Sequence, residues 1–230
     1  MTMGNGILVA PSILSADFGH LEDEVADISA DADLVHVDVM DGHFVPNLTI
    51  GPAHVAALKQ ATDLPLDVHL MIDNPLVQLP WYLDAGADGV TVHLEALHGE
   101  GEALSCAEAI RAGGAAPALA INPETPVSSV GEALLSAFDM FLVMSVHPGF
   151  SGQSFIEDTP DKVACLASRL HAAGLERDVE VDGGIGGKTA PLVAAAGANV
   201  LVAGNAVFKA ADRGKAIEEI RDAAGGACRA

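Results

Sequence analysis

The stretch LVHVDVMD at 34–41 decides how this chain is read. It is short, rich in β-branched residues and closed by Asp, which marks a strand. Side chains alternate between the two faces of a strand, so His36, Asp38 and Met40 share one face while Val37 and Val39 take the other. Seven further segments have the same character: ILVAPSIL at 7–14, LPLDVHLMI at 64–72, GVTVHLEA at 89–96, PALAIN at 117–122, MFLVMSVHP at 140–148, DVEVDGGI at 178–185 and NVLVAG at 199–204. Stretches of helical periodicity lie between them, among them 17–30, 75–86 and 158–174. Asp17 is placed to cap the first and Asp158 or Thr159 the last. Gly86 and Gly174 are placed to stop the second and third, and Pro80 should kink or split the second.

Strand–helix alternation implies parallel strands. Eight such units within 230 residues predict a single (β/α)₈ TIM barrel over residues 1–230, an α/β fold, rather than an open sheet. The phrases AGADGV at 85–90 and AGANVL at 196–201 recur just before a strand, as echoes of the repeating unit. No linker or low-complexity stretch divides the chain.

Composition agrees. Hydrophobic residues make up 50% and aromatic ones only 4%, so the core is built of Val, Leu, Ile and Ala, the filling of parallel sheets and barrels. A net charge of −21 excludes nucleic acid as the main partner, since a phosphate backbone calls for a basic surface. It also means that a phosphate site here must use backbone N–H groups more than Lys or Arg. The acidity fits either a salt-rich cytoplasm or an ordinary acidic protein kept dispersed by charge. Cys106, Cys165 and Cys228 form no paired framework, the N-terminus has no signal-peptide pattern, and no run of about 20 apolar residues suggests a membrane helix. The expectation is a cytoplasmic protein.

Ionisable residues interrupt the strands near their C-terminal ends, where barrel active sites lie. His36 and Asp38 do so in the second strand, His69 in the third and Asp182 in the seventh. If those faces point inward, two imidazoles and two carboxylates meet at one mouth. A lone His or Asp in a strand is ordinarily a satisfied structural residue; four at matching strand ends are not easily explained that way. Two buried carboxylates need a neutralising cation. Lys59, Lys162, Lys188, Lys209 and Lys215 all lie outside the strands, so one divalent metal (Zn, Fe, Mn or Co) is expected. Asp67 and Glu180 sit deeper and should hydrogen-bond below the site. His93 and Glu95 could stand behind the ligands, whereas His20, His54, His98 and His171 read as surface residues. Met40, Met71 and Met144 either fill core space or ring the mouth as a water-excluding wall.

Glycine-bearing loops follow three neighbouring strands: His147-Pro148-Gly149-Phe150-Ser151-Gly152-Gln153, Asp182-Gly183-Gly184-Ile185-Gly186-Gly187, and Gly204-Asn205. Such loops let a backbone approach an anion, and the ends of the last two strands are a frequent phosphate site of these barrels. GGIGGKT at 183–189 is not a nucleotide P-loop, because Asp182 stands where that pattern needs Gly.

With these residues in view, the chain resembles the ribulose-phosphate 3-epimerase family. APSILSADF at 10–18, HVDVMDGHFVPNLTIGP at 36–52, LDVHLMI at 66–72, VMSVHPGFSGQSF at 143–155 and EVDGGI at 180–185 look like family motifs in family order. The resemblance implies a barrel of the ribulose-phosphate-binding type, with one divalent metal on His36, Asp38, His69 and Asp182. It implies Asp38 and Asp182 as the acid–base pair, and Ser12 and His69 in contact with a sugar-phosphate substrate. It places phosphate against Gly149, Phe150, Ser151, Gly152, Gly183, Gly184, Gly204 and Asn205. It also implies homo-oligomers and a role in carbohydrate metabolism by the pentose phosphate route. Ser151 and Asn205 depart from the pattern, standing where Gly and Gly-Ser are common. PGFxGQ and INPETPV at 121–127 also resemble the sister allulose-6-phosphate 3-epimerases. The related decarboxylases use an Asp-x-Lys-x-x-Asp array, and here Met40 occupies the Lys position. A non-catalytic sugar-phosphate binder is the remaining rival, and the intact acid pair speaks against it.

Overall fold

The computed structural model describes residues 6–227. Cys228 and the first residues of the N-terminal stretch lie outside them. The strands are β1 (Leu8–Pro11), β2 (Val35–Met40), β3 (Leu66–Met71), β4 (Gly89–His93), β5 (Ala116–Ile121), β6 (Met140–Met144), β7 (Asp178–Asp182) and β8 (Val200–Ala203). The helices are α1 (Leu21–Ile28), α2 (Pro52–Ala61), α3 (Pro75–Asp84), α4 (Glu100–Ala112), α5 (Glu132–Ala137), α6 (Thr159–Ala172), α7 (Ala190–Ala195), α8 (Asn205–Phe208) and α9 (Arg213–Ala227). All strand pairs are parallel, in the order β1-β8-β7-β6-β5-β4-β3-β2. A parallel bridge between Ser12 and His36 brings β1 beside β2, so the sheet curls into a nearly closed barrel.

Alternation sorts every strand. Val35, Val37 and Val39 of β2, Val68 and Leu70 of β3, Phe141 and Val143 of β6 and Val179 and Val181 of β7 join the apolar shell beneath the helices. The opposite parity faces inward. There Ala10, Val200 and Val202 fill one part of the interior and Ala120, Leu142 and Met144 another. Met40 and Met71 cluster near the mouth, and Ser12, His36, Asp38, Asp67, His69, Thr91, His93 and Glu180 add buried polar groups. Register fixes their levels, with Asp67 beside His36, His69 beside Asp38 and Met71 beside Met40.

Three local expectations change. Asp17 does not cap α1: its carboxylate accepts from the Gly19 amide at 2.9 Å and pairs with His20, and α1 begins only at Leu21. Asp158 precedes α6 but makes no side-chain cap bond, because its backbone (φ −82°, ψ −4°) is already helical rather than extended as a capping residue requires. Helix α3 runs on through Pro80, so of the kink or split expected there the split does not occur. Gly86 and Gly174, at φ +96° and +68°, end their helices as expected. The strand candidates are right in number but too long at their C-terminal ends, because those residues leave the sheet to build the mouth.

Candidate active site

His36, Asp38, His69 and Asp182 converge. Each offers one ligand-type atom, and the four atoms lie within 4.8 Å of one another. His36 Nε2 is 3.4 Å from Asp38 Oδ1 and 3.3 Å from His69 Nδ1. His69 Nδ1 is 3.2 Å from Asp38 Oδ1 and 4.0 Å from Asp182 Oδ2. The two histidine side chains are fully buried and Asp38 nearly so, while Asp182 is 18% exposed and opens towards the mouth. Among the described residues no Lys or Arg pairs with either carboxylate, so the only cationic partners are imidazoles.

The electrostatics follow from this crowding. Burial alone would raise Asp38, but the imidazoles of His36 and His69 outweigh it and hold the carboxyl well below its usual range. Asp182 moves the other way: burial, then repulsion from Asp38, push it up to about 7. Burial would lower His36, yet Asp38 and Asp67 raise it well above an ordinary imidazole. His69 is brought down to about 4, chiefly by burial. Beneath the site His36 Nδ1 donates to Asp67 Oδ2 at 2.6 Å, and Glu180 lies 3.6 Å from the same nitrogen. Burial and the nearby Asp67 raise Glu180 well above its usual value, which keeps it neutral at that depth. Both acids sit below the site, but only Asp67 makes the expected hydrogen bond; the Glu180 carboxyl oxygens have no hydrogen-bond partner among the described residues.

A cavity of ≈ 350 Å³ stands over the cluster. Ser12, Asp38 and Asp182 form part of its floor, and Met40, Met71 and Met144 part of its wall. Gly149, Phe150, Ser151, Gly152, Gly183, Gly184, Gly204 and Asn205 line it as well. Ser12 Oγ donates to Asp38 Oδ2 at 2.6 Å, which aims that carboxylate. His36 and His69 alone among the expected residues are neighbours of the floor rather than lining groups.

The two glycines after β7 are there for space and conformation. Gly183 and Gly184 have φ +122° and +62°, and a Cβ would lie 2.5 Å from Val146 Cγ2 or 2.8 Å from the Phe155 amide. Sequence reasoning missed the residues that hold the rim. Thr49 Oγ1 donates to the Asp38 carbonyl at 2.7 Å and accepts from the Met40 amide at 3.0 Å. Asn47 Nδ2 donates to the Gly149 carbonyl at 2.7 Å, tying the loop after β2 to the loop after β6. Gln153 Nε2 donates to the carbonyls of His147 and Phe150. Both Asn47 and Thr49 fall within the family-like run 36–52, the one signal that could have flagged them.

Fold and site together define a (β/α)₈ barrel with paired acids at its floor and a glycine-bearing rim. The chain belongs to the ribulose-phosphate 3-epimerase family, whose model matches residues 8–208. It is 48% identical over 221 residues to the ribulose-phosphate 3-epimerase of Bacillus subtilis (strain 168), covering 94% of this chain and 98% of that one. It is 47% identical over 221 residues to the chloroplastic ribulose-5-phosphate-3-epimerase of Arabidopsis thaliana, covering 94% and 76%. Among solved structures, the barrel is similar to 3-keto-L-gulonate-6-phosphate decarboxylase from Vibrio cholerae (TM-score 0.71, 15% identity, 96% and 98% covered). It is also similar to 3-hexulose-6-phosphate synthase from Salmonella typhimurium (TM-score 0.69, 18% identity, 96% and 100% covered). At those identities the likeness speaks for the fold alone. No helix of the described residues is long and apolar enough to cross a membrane.

Proposed function

We propose that this chain is a ribulose-phosphate 3-epimerase, one catalytic barrel that interconverts D-ribulose 5-phosphate and D-xylulose 5-phosphate with Asp38 and Asp182 as its acid–base pair. The observation that carries the reading is geometric: Asp38 and Asp182 come from different sides of the barrel to the floor of one cavity, in surroundings that push Asp38 down and Asp182 up. Environments that drive paired carboxyls apart are how one site supplies a base and an acid together.

The reaction removes the proton from carbon 3, beside the ketone, and returns one from the other face. The intermediate is a flat enediolate. The ionised carboxylate takes the proton on one side and the protonated carboxyl delivers on the other; in the reverse reaction they exchange roles. Asp38 on β2 and Asp182 on β7 stand three strands apart around the barrel, which suits them to flank a planar sugar. Ser12 keeps Asp38 oriented through its 2.6 Å hydrogen bond and, with His69, bounds the sugar. The methionine wall keeps water from the intermediate. Phosphate rests on the loops at 149–152, 183–184 and 204–205. Its donors there are backbone N–H groups, so a chain of net charge −21 can still hold an anion.

The donor set fits a divalent ion. Two imidazoles and two carboxylates stand within reach of one point, buried, with no Lys or Arg among the described residues paired to the acids. His36, Asp38, His69 and Asp182 would hold it, as zinc, iron, manganese or cobalt. Once bound, such an ion supplies positive charge for the developing oxyanion.

A coupled assay on D-ribulose 5-phosphate, run in deuterated water, tests the reading. The expected result is turnover to xylulose 5-phosphate with deuterium incorporated at carbon 3. Failure to exchange at carbon 3 would leave a binding barrel and refute the proposal. A second substrate is worth the same assay, because the runs PGFxGQ and INPETPV also resemble the allulose-6-phosphate 3-epimerases. Faster turnover of D-allulose 6-phosphate would identify that sugar as the substrate instead.

A further inference from the structure

Behind His69 runs a line of side chains that the proton-transfer scheme does not use. His69 Nε2 lies 2.7 Å from His93 Nε2, and the two rings stack with centroids 4.9 Å apart. His93 Nδ1 lies 3.3 Å from Glu95 Oε2. The other oxygen of Glu95, Oε1, accepts from the Asn122 amide at 2.7 Å and from Thr125 Oγ1. Phe44 covers the outer side of the His93 ring at 4.8 Å, and His93 itself is fully buried.

We infer that His93 and Glu95 are positioning residues that fix the tautomer of His69 and so dictate which of its ring nitrogens can hold a cation. The inference rests on the cation reading given under Proposed function. The logic is one of donors and acceptors. A carboxylate only accepts, so His93 must carry its proton on Nδ1. The lone pair of a neutral His93 is then on Nε2, and His69 must donate to it from its own Nε2. That leaves the lone pair of His69 on Nδ1, the atom that faces His36 Nε2, Asp38 Oδ1 and Asp182 Oδ2 at 3.3, 3.2 and 4.0 Å. The chain therefore points one nitrogen lone pair at the cluster before any ion arrives. The arrangement parallels the His36 side, where Nδ1 donates to Asp67 and Nε2 faces the cluster. Groups behind a ligand commonly set its orientation and tautomer in this way.

Glu95→Gln reverses the line at nearly constant shape. The amide oxygen must stay at the Oε1 position, because the Asn122 amide there can only donate. The amide nitrogen then faces His93 Nδ1 as a donor. His93 has to move its proton to Nε2, His69 must accept on Nε2, and the His69 proton arrives on Nδ1, where a cation needs a lone pair.

The experiment uses the full chain labelled with ¹⁵N-histidine, freed of metal and then titrated with zinc alone. Long-range ¹H–¹⁵N correlation reads each tautomer, and competition with a chromophoric chelator reads affinity. Expected in wild type are a proton on Nδ1 of His93 and on Nε2 of His69. Expected in Glu95→Gln are the opposite tautomer at His93 and zinc affinity lower by about 10- to 100-fold. A wild-type His93 protonated on Nε2 overturns the inference whether or not the variant folds. So does a Glu95→Gln protein that binds zinc as tightly as wild type. If wild type takes up neither zinc nor cobalt, the cation reading fails and this one with it; zinc uptake with the wrong tautomer sinks this inference alone.

Discussion

Replacing Asp182 with Asn should abolish epimerisation and at the same time stabilise the metal-free protein, by an amount that grows with pH. Burial and the neighbouring Asp38 push the Asp182 carboxyl from 3.8 up to about 7. The folded state therefore holds a proton that the unfolded chain releases above about pH 4, and each added pH unit up to 7 costs stability. Over that gap of roughly three pH units, at about 1.4 kcal/mol per unit, the cost reaches on the order of 4 kcal/mol at pH 8 and about 2 kcal/mol at pH 5. Asparagine carries no charge to lose, so it removes this cost. Calorimetry of the chelator-treated proteins is the assay. At about 2–4 °C per kcal/mol for a chain of this size, Asp182→Asn should melt on the order of 10 °C above wild type at pH 8, with a clearly smaller gain at pH 5. Zinc should then raise the melting point of wild type and do much less for the variant. A variant no more stable than wild type at pH 8, or a gain that does not change with pH, would refute the picture of Asp182 as a carboxyl strained by burial and like charge.

Other outcomes follow from the same geometry. Asp38→Asn should lower turnover by at least the 10²- to 10⁴-fold typical of a lost general base while leaving the far-UV spectrum unchanged; near-normal turnover would remove Asp38 from the acid–base pair. Zinc binding near pH 6 should release about two protons, one from Asp182 at about 7 and one from His36, whose value lies well above the ordinary. Calorimetric titration in buffers of different ionisation enthalpy counts them, and a count of zero would contradict both assignments. Gly183→Ala places a Cβ 2.5 Å from Val146 Cγ2 at φ +122°. It should cost about 1–3 kcal/mol in urea denaturation and raise KM more than it lowers kcat, since the rim at the proposed phosphate site is what moves.

Much of this was legible in the sequence, and what was not follows a pattern. Period-two alternation gives inward and outward faces without any knowledge of partners, so His36, Asp38, His69 and Asp182 could be placed on one side of their strands from the letters alone. Strand ends and caps were less legible. Asp17 and Asp158 have the right chemistry for caps, but capping depends on backbone angles that neighbouring loops impose, and here one carboxylate turns to its own loop while the other sits on a helical backbone. Contacts between loops were not legible at all. Asn47 reaches Gly149 across the barrel mouth, and Glu95 reaches Asn122 across the adjacent ends of β4 and β5, neighbours that only the fold supplies. For Glu95, the sequence could say no more than that it stood near the site.

The interior explains why one half of this barrel does chemistry. The inward positions of β2, β3, β4 and β7 carry imidazoles and acids, while those of β1, β5, β6 and β8 are Ala, Val, Leu and Met. Burying so many ionisable groups would be prohibitive if each had to be charged and alone. They are not: His36 pairs with Asp67, Glu180 is kept neutral beneath it, and His69 is held as a neutral ring by burial. The residual strain falls on Asp182, the most exposed of the four. A group left strained by the fold is one that an arriving cation or proton can relieve, so the same burial that destabilises the empty site favours loading it. Met40, Met71 and Met144 wall the ≈ 350 Å³ cavity above these groups, so a fixed charge at its floor acts on a bound sugar at short range.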